Sequence, residues 1–154
     1  MFIADSDKVV RHEDCRHREI RLQMGRVGIE GVQHKALLVD SDAKAMKERS
    51  MHEQAAKRYE EGLETIRAGI TRKGGTKLRD TVNARLGRLW KQYGAIRKEY
   101  EVTFTYEGSG KKEMAVSMEW KRKDEYIAEK KKFHGKYVLL TSLDETQELN
   151  VSIL

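Results

Sequence analysis

Hydrophobic positions along this chain change period several times. From Glu19 to Met24 they alternate, with Ile20, Leu22 and Met24 on one face and Glu19, Arg21 and Gln23 on the other. That is the period-2 signature of a half-buried strand. Gly25, Gly28 and Gly31 then predict turns, and Lys35 to Val39 resumes as a mostly apolar strand, so the two runs predict a hairpin. After Ser41 and Asp42, either of which can cap a helix N-terminus through its side-chain oxygen, the period lengthens. Ala55, Tyr59, Leu63, Ile66 and Ile70 recur at intervals of three or four, as do Leu78, Val82, Leu86, Leu89, Tyr93 and Ile96. Each set is the stripe of an amphipathic helix. Gly74-Gly75 separates them and Thr76 can cap the second, so short a turn predicting an antiparallel helical hairpin over 41–98.

Alternation returns after Glu99. Tyr100, Val102, Phe104 and Tyr106 share one face, Gly108-Ser109-Gly110 turns the chain, and Met114, Val116, Met118 and Trp120 are expected on one face of the returning strand. Lys121 to Phe133 reads as a helix with Tyr126, Ile127 and Phe133 available for packing, and Gly135 suits its C-terminal end. Tyr137 to Thr141 is the last expected strand, followed by polar residues expected to fray. The expected class is α+β: a long antiparallel helical hairpin packed with short antiparallel strands. A length of 154 residues fits one domain with three regions, 1–40, 41–98 and 99–154. The absence of Pro, where average usage gives roughly 8, suits uninterrupted helices.

Charge sharpens the picture. The whole chain carries +6, and Lys77, Arg79, Arg85, Arg88, Lys91, Arg97 and Lys98 on the second predicted helix face a single acid, Asp80. That one segment holds an excess equal to the total. At about 100° per residue, Lys77, Arg88, Lys91 and Lys98 fall opposite the apolar stripe, with Arg79, Arg85, Arg97 and Trp90 on its shoulders. A basic ridge beside an aromatic fits phosphate-backbone contact, and it equally fits a solvated helix face. Lys121, Arg122 and Lys123, and further on Lys130, Lys131 and Lys132, can extend the same positive surface. One Cys excludes an internal disulfide and points to a reducing, cytoplasmic setting. No apolar run approaches the ~20 residues of a membrane span, and the N-terminus lacks a signal-peptide layout, so no membrane association is expected.

Metal and nucleophile chemistry find little footing. His12, Cys15 and His17 lie close together, but a structural zinc site wants four ligands and no second pair stands nearby. His52-Glu53 opens a zincin-like motif that Ala56 breaks, since the second His belongs there. Cys15 has basic neighbours without an orienting partner, and the glycines at 25, 28 and 31 lack the strand-to-helix context of a phosphate loop.

The order of segments carries a further signal. Leu37-Leu38-Val39-Asp40-Ser41-Asp42-Ala43-Lys44 leads to Met51-His52-Glu53, then to Tyr59-Glu60-Glu61-Gly62-Leu63, and much later to Phe133-His134-Gly135-Lys136-Tyr137-Val138-Leu139-Leu140-Thr141-Ser142. Over about Ala36 to Ser142 this order resembles DDE transposases of bacterial insertion sequences, in which a Gly-aromatic-apolar run ending Thr-Asn or Thr-Ser precedes the last catalytic helix. His134 stands where that family usually has Asp, at a turn. The resemblance implies part of an RNase H-like transposase, lying between the second and third catalytic carboxylates and ending before the Tyr-x-x-x-Trp-x-Ile-Glu segment.

It also implies DNA as partner, Mg or Mn as the metal of the full-length enzyme with none held by this fragment, and an incomplete catalytic set. Asp5, after Met1-Phe2-Ile3-Ala4, is the one weak candidate for a catalytic Asp. The nucleic-acid-binding candidates are Lys77, Arg85, Arg88, Lys91, Lys98, Lys121, Arg122 and Lys123. Trp120 reads either as a base-stacking side chain or as a core residue. The expected function is therefore that of a truncated transposase fragment whose parent performs DNA transposition. The alternative is a free-standing helical-hairpin module that pairs with protein, including a second copy, through its apolar stripes.

Overall fold

The computed structural model describes residues 1–141. Within them the protein is α+β, with three α-helices and strands paired only in antiparallel fashion. The described residues divide into two compact units, 1–49 with 132–141, and Ser50–Lys131. No helix among the described residues is long and apolar enough to cross a membrane.

The first unit is built on a sheet of β1 (Phe2–Ala4), β2 (Val10–Glu13), β3 (Glu19–Ile29), β4 (Val32–Ser41) and β7 (Lys136–Leu140). Its order is β1-β3-β4-β7, with β2 also paired to β3. The expected alternation holds: Leu22 pairs with Val39, Val39 with Tyr137, and Leu22, Leu37 and Val39 are buried together. Turns expected at Gly25 and Gly28 do not form, because β3 continues through both to Ile29. The chain reverses instead at Glu30 and Gly31, whose φ values of 50° and 79° supply the two-residue turn that matches strand twist. Gly25 has a different reason to be glycine. A Cβ there would lie 2.3 Å from the Phe2 ring and 2.4 Å from the Ile3 carbonyl oxygen, so it lets β1 approach closely.

Helix α1 (Asp42–Thr71) starts where Ser41 Oγ accepts the Lys44 N–H at 3.3 Å, the cap the sequence suggests. Close by, Gly135 adopts a φ of 80°, donates its N–H to Glu48 Oε2 at 2.7 Å and accepts the Ser41 N–H at 2.9 Å. The Lys44 ammonium and the Gly135 N–H hold the Glu48 carboxyl below its ordinary range.

The second unit contains most of α1, then α2 (Arg79–Gln92), a 3-10 turn over Ile96–Glu99, β5 (Tyr100–Glu107), β6 (Met114–Arg122) and α3 (Asp124–Lys131). Tyr59, Leu63, Ile66 and Ile70 of α1 share one buried cluster with Val82 and Leu86 of α2 and with Tyr100, Ala115 and Met118 of the β5–β6 pair. The second helix is shorter than its stripe suggests. Leu78 is extended and bridged to Met114, and the Ala115 N–H reaches the Lys77 carbonyl at 2.7 Å, so the helix starts at Arg79 and Thr76 does not cap it. At the other end the chain leaves the helix before Gly94 and tightens into the 3-10 turn that buries Ile96 and Glu99.

The β5–β6 hairpin forms as expected in position, but not in facing. Thr105 pairs with Ser117 and Tyr106 with Ala115, which leaves Val116 as an extra, bulged residue. Ala115 and Met118 therefore turn inward while Met114 and Val116 turn out. A bulge shifts side-chain facing by one position, which a period-2 reading cannot anticipate. Lys121 and Arg122 belong to β6, not to the following helix, and Tyr126 and Phe133 are exposed instead of packed. The expected region from Ser142 onward lies outside the described residues.

Two measurements check this architecture. Leu63→Ala should lower stability by about 2–5 kcal/mol, because the side chain is fully buried. Unchanged denaturant midpoints would remove α1 from the core. In the first unit, a lowered Glu48 pKa contributes stability that is present above the ordinary value of about 4.3 and is lost as pH falls through the lower folded value. The Gly135 amide resonance should titrate with a midpoint below that value and cease to do so in Glu48→Gln.

Candidate nucleic-acid interface

One face of α2 is fixed by burial, and that fixes the other. Val82 and Leu86 are buried, and Leu89 and Tyr93 pack against the same cluster. Leu89 lies close enough to α1 that a Cβ on Gly62 would come within 2.6 Å of it. The helix start is held from outside by the Arg79 N–H to Glu113 carbonyl bond at 2.9 Å and by the Arg79–Glu113 ion pair at 2.6 Å, which raises the Arg79 pKa. With the inner face set, Ala84, Gly87, Arg88 and Lys91 lie on the outer face and Arg85 on its shoulder, all exposed.

Arg85, Arg88 and Lys91 have no acidic partner among the described residues. Nothing lies within 4 Å of a Cβ built on Gly87, so a bulky ligand can approach the helix backbone between the long cations. Trp90 sits beside them, 37% exposed, with its indole N–H donated to Tyr59 Oη at 3.2 Å and the Arg97 guanidinium 5.2 Å above its ring. The aromatic is thus anchored to the core and carries a cation on its outer surface.

The other candidates separate from this group. Lys98 falls on the 3-10 turn, beyond the end of α2, so its place on the helical ridge is not kept, although it too is exposed without an acidic partner among the described residues. Lys77 precedes α2 and is half-buried. Lys121 pairs with Glu101 at 3.3 Å and Arg122 with Glu60 at 2.5 Å, whose carboxylate raises the Arg122 pKa. Each of these two cations therefore faces a carboxylate, unlike Arg85, Arg88 and Lys91. Lys123 is exposed, and its backbone N–H is bonded to the Glu99 carbonyl at 2.8 Å.

Trp120 donates its indole N–H to Glu64 at 2.8 Å, and its ring lies 5.8 Å from that of Tyr100. It packs against the core cluster, which is the second of its two readings.

In the first unit, Asp5 follows β1, pairs with Arg26 at 3.1 Å, and donates its backbone N–H to the Met24 carbonyl. No group of three or more His, Cys, Asp or Glu side chains among the described residues is placed to hold a metal ion. Cys15 is exposed in the turn where Asp14 accepts the N–H groups of Arg16 and Arg18, and His17 faces Glu13 at 3.3 Å.

Sequence reasoning missed a cluster in the second unit. Glu99 is fully buried, its carboxylate 2.7 Å from His52 Nε2 and 3.2 Å from Lys130 Nζ. It ties α1, the 3-10 turn and α3 to one another. A signal existed: His52 continues the α1 stripe three residues before Ala55, so a polar residue stood in an apolar series. Removing the Glu99 carboxylate takes one partner from His52 and one from Lys130. Glu99→Ala should therefore destabilise the protein by about 1–3 kcal/mol, read from a denaturant melt. Parent-like stability would show that the cluster is incidental to the fold.

No protein-family model matches this chain, and no curated protein or solved structure shows significant similarity to it.

Proposed function

We propose that this chain contacts the phosphate backbone of DNA through the outer face of α2, as a fragment of an insertion-sequence DDE transposase. The observation that carries the DNA contact is the set Arg85, Arg88 and Lys91, exposed opposite Val82 and Leu86 and without acidic partners among the described residues. Cations with no internal role remain available to displace counterions from a polyanion, and such contact is independent of sequence. The small Ala84 and Gly87 between them favour a close approach.

The transposase assignment rests on the order of segments. A strand ends at Ser41, a long helix and a shorter one follow, then a two-stranded sheet, a short helix, and a strand entered through Gly135. Placement within an RNase H-like parent and the antiparallel helical hairpin belong to this proposal. Contacts between Tyr59 and both Trp90 and Tyr93, and between Gly62 and Leu89, support the hairpin arrangement. Mg or Mn would be the parent's metal. No cleavage step is assigned to the carboxylates of this chain; three of them, Glu19, Asp40 and Asp42, are engaged with the Arg21 guanidinium. The rival, a protein-interaction module working through the helix stripes, has less to recommend it, because Leu63, Ile66, Ile70, Val82 and Leu86 are already buried within the second unit.

The decisive experiment is salt-dependent binding of duplex DNA. Arg85→Ala/Arg88→Ala/Lys91→Ala should weaken binding to unrelated duplexes alike. The slope of log K against log salt should flatten by roughly 0.9 for each phosphate that the variant no longer neutralises. Stability should stay within about 0.5 kcal/mol of the parent, as expected for exposed substitutions. A parent protein without salt-dependent duplex binding near physiological ionic strength would overturn the proposal.

A further inference from the structure

The bulge in β6 does more than shift a register. By placing Val116 as an extra residue it turns Met114 and Val116 outward, each about two-fifths exposed, while Ala115 beneath them stays buried. These side chains floor a groove of about 610 Å³ between the end of α1 and the tip of the β5–β6 hairpin. Lys77 and Lys112 line it, together with Glu107 and Thr71. Neither lysine has an acidic partner among the described residues.

The groove's frame is held by backbone. The Ala115 N–H bonds the Lys77 carbonyl at 2.7 Å, which fixes the segment that carries one lysine directly against the strand that forms the floor. Gly108 and Gly110, with φ of 91° and 61°, fold the hairpin tip so that Lys112 returns to the same groove. A Cβ on Gly108 would lie 3.3 Å from the Lys112 carbonyl oxygen, so the turn is compact as well as left-handed. Bulges commonly re-aim side chains beside binding sites.

An apolar floor between two unpaired ammonium groups calls for a ligand with an anionic group next to a flat apolar one. The phosphates of a duplex alone do not meet that description, because the paired bases are stacked inside. We propose that the groove receives an unpaired nucleotide of a DNA strand, with Lys77 and Lys112 on its phosphate and Met114 and Val116 against its base. Glu107 gives the site a preference. Its carboxylate repels phosphate but accepts hydrogen bonds from exocyclic amino groups, as acidic side chains do from cytosine N4. Bases with an amino group are favoured over thymine. Lys77 leads straight into α2, so the groove continues the backbone contact proposed above. The inference rests on that reading for its class of partner and adds the state and identity of the base.

Fluorescence anisotropy with labelled oligo-dC, oligo-dT and a mixed-sequence duplex separates the possibilities. The parent should bind oligo-dC several-fold more tightly than oligo-dT. Glu107→Ala should abolish that difference by strengthening oligo-dT binding more than oligo-dC binding. Lys77→Ala/Lys112→Ala should weaken single-strand binding about tenfold and duplex binding much less. Lys112→Ala alone, at an exposed turn position, repeats the test without risk to folding. The inference is overturned if the parent treats oligo-dC and oligo-dT alike, or if the lysine variants bind single strands as the parent does. It is equally overturned if an acidic peptide of the same net charge competes as well as the oligonucleotide. Loss of duplex binding in the α2 triple variant with parent-like behaviour of the groove variants would remove the groove and leave the α2 interface standing. The opposite pattern would remove the α2 interface and leave the groove.

Discussion

Burial of Tyr59 is the constraint around which the second unit is arranged. The ring is fully inaccessible, 4.9 Å from Tyr100 and 6.0 Å from Tyr93, and its hydroxyl accepts the Trp90 indole N–H. One side chain of α1 thereby touches α2, the segment that follows it and β5. Burial pushes the Tyr59 hydroxyl pKa up. Around it the polar atoms are satisfied in pairs: Tyr100 donates to Glu60, which also holds Arg122, and Trp120 donates to Glu64. Aromatic bodies supply the area and their polar tips find partners on α1.

This arrangement decides which cations remain available. Arg122 and Lys121 are drawn into pairs with Glu60 and Glu101, Lys130 into the Glu99 cluster, and Arg79 onto Glu113. What is left over on α2 is Arg85, Arg88 and Lys91, at positions that the burial of Val82 and Leu86 points away from the core. A net charge of +6 says that the chain is basic. Only the pairing pattern says where that charge is uncompensated, and an electrostatic partner responds to the local field rather than to the sum.

The buried Glu99 and the bulged Val116 play comparable parts at two places in the unit. Glu99 carries a carboxyl group into the interior, where His52 and Lys130 meet its two oxygens. Val116 carries an apolar side chain to the surface, where it forms a groove instead of core. Both depart from the simple pattern of apolar inside and polar outside. Departures of that kind concentrate where a structure is specified tightly or used.

The sequence by itself determined the period of nearly every element. The stripe from Tyr59 to Ile70, the alternation of Ile20, Leu22 and Met24, the Ser41 cap and the inward face of Tyr100 to Tyr106 follow from local chemistry, which acts between residues a few positions apart. The opposite face of α2 was equally legible in its middle, at Arg85, Arg88 and Lys91. Tertiary structure decided what depends on segments distant in the chain. Gly25 sits inside a strand because Phe2 crosses it, α2 begins late because Lys77 and Leu78 pair with β6, and Lys98 leaves the ridge because Ile96 and Glu99 are pulled into the core. The partners of Glu99 lie 47 and 31 positions away, and the facing of Val116 turns on one unpaired residue in a ladder. No local periodicity records these, since each is a contact between surfaces that exist only after the elements have packed.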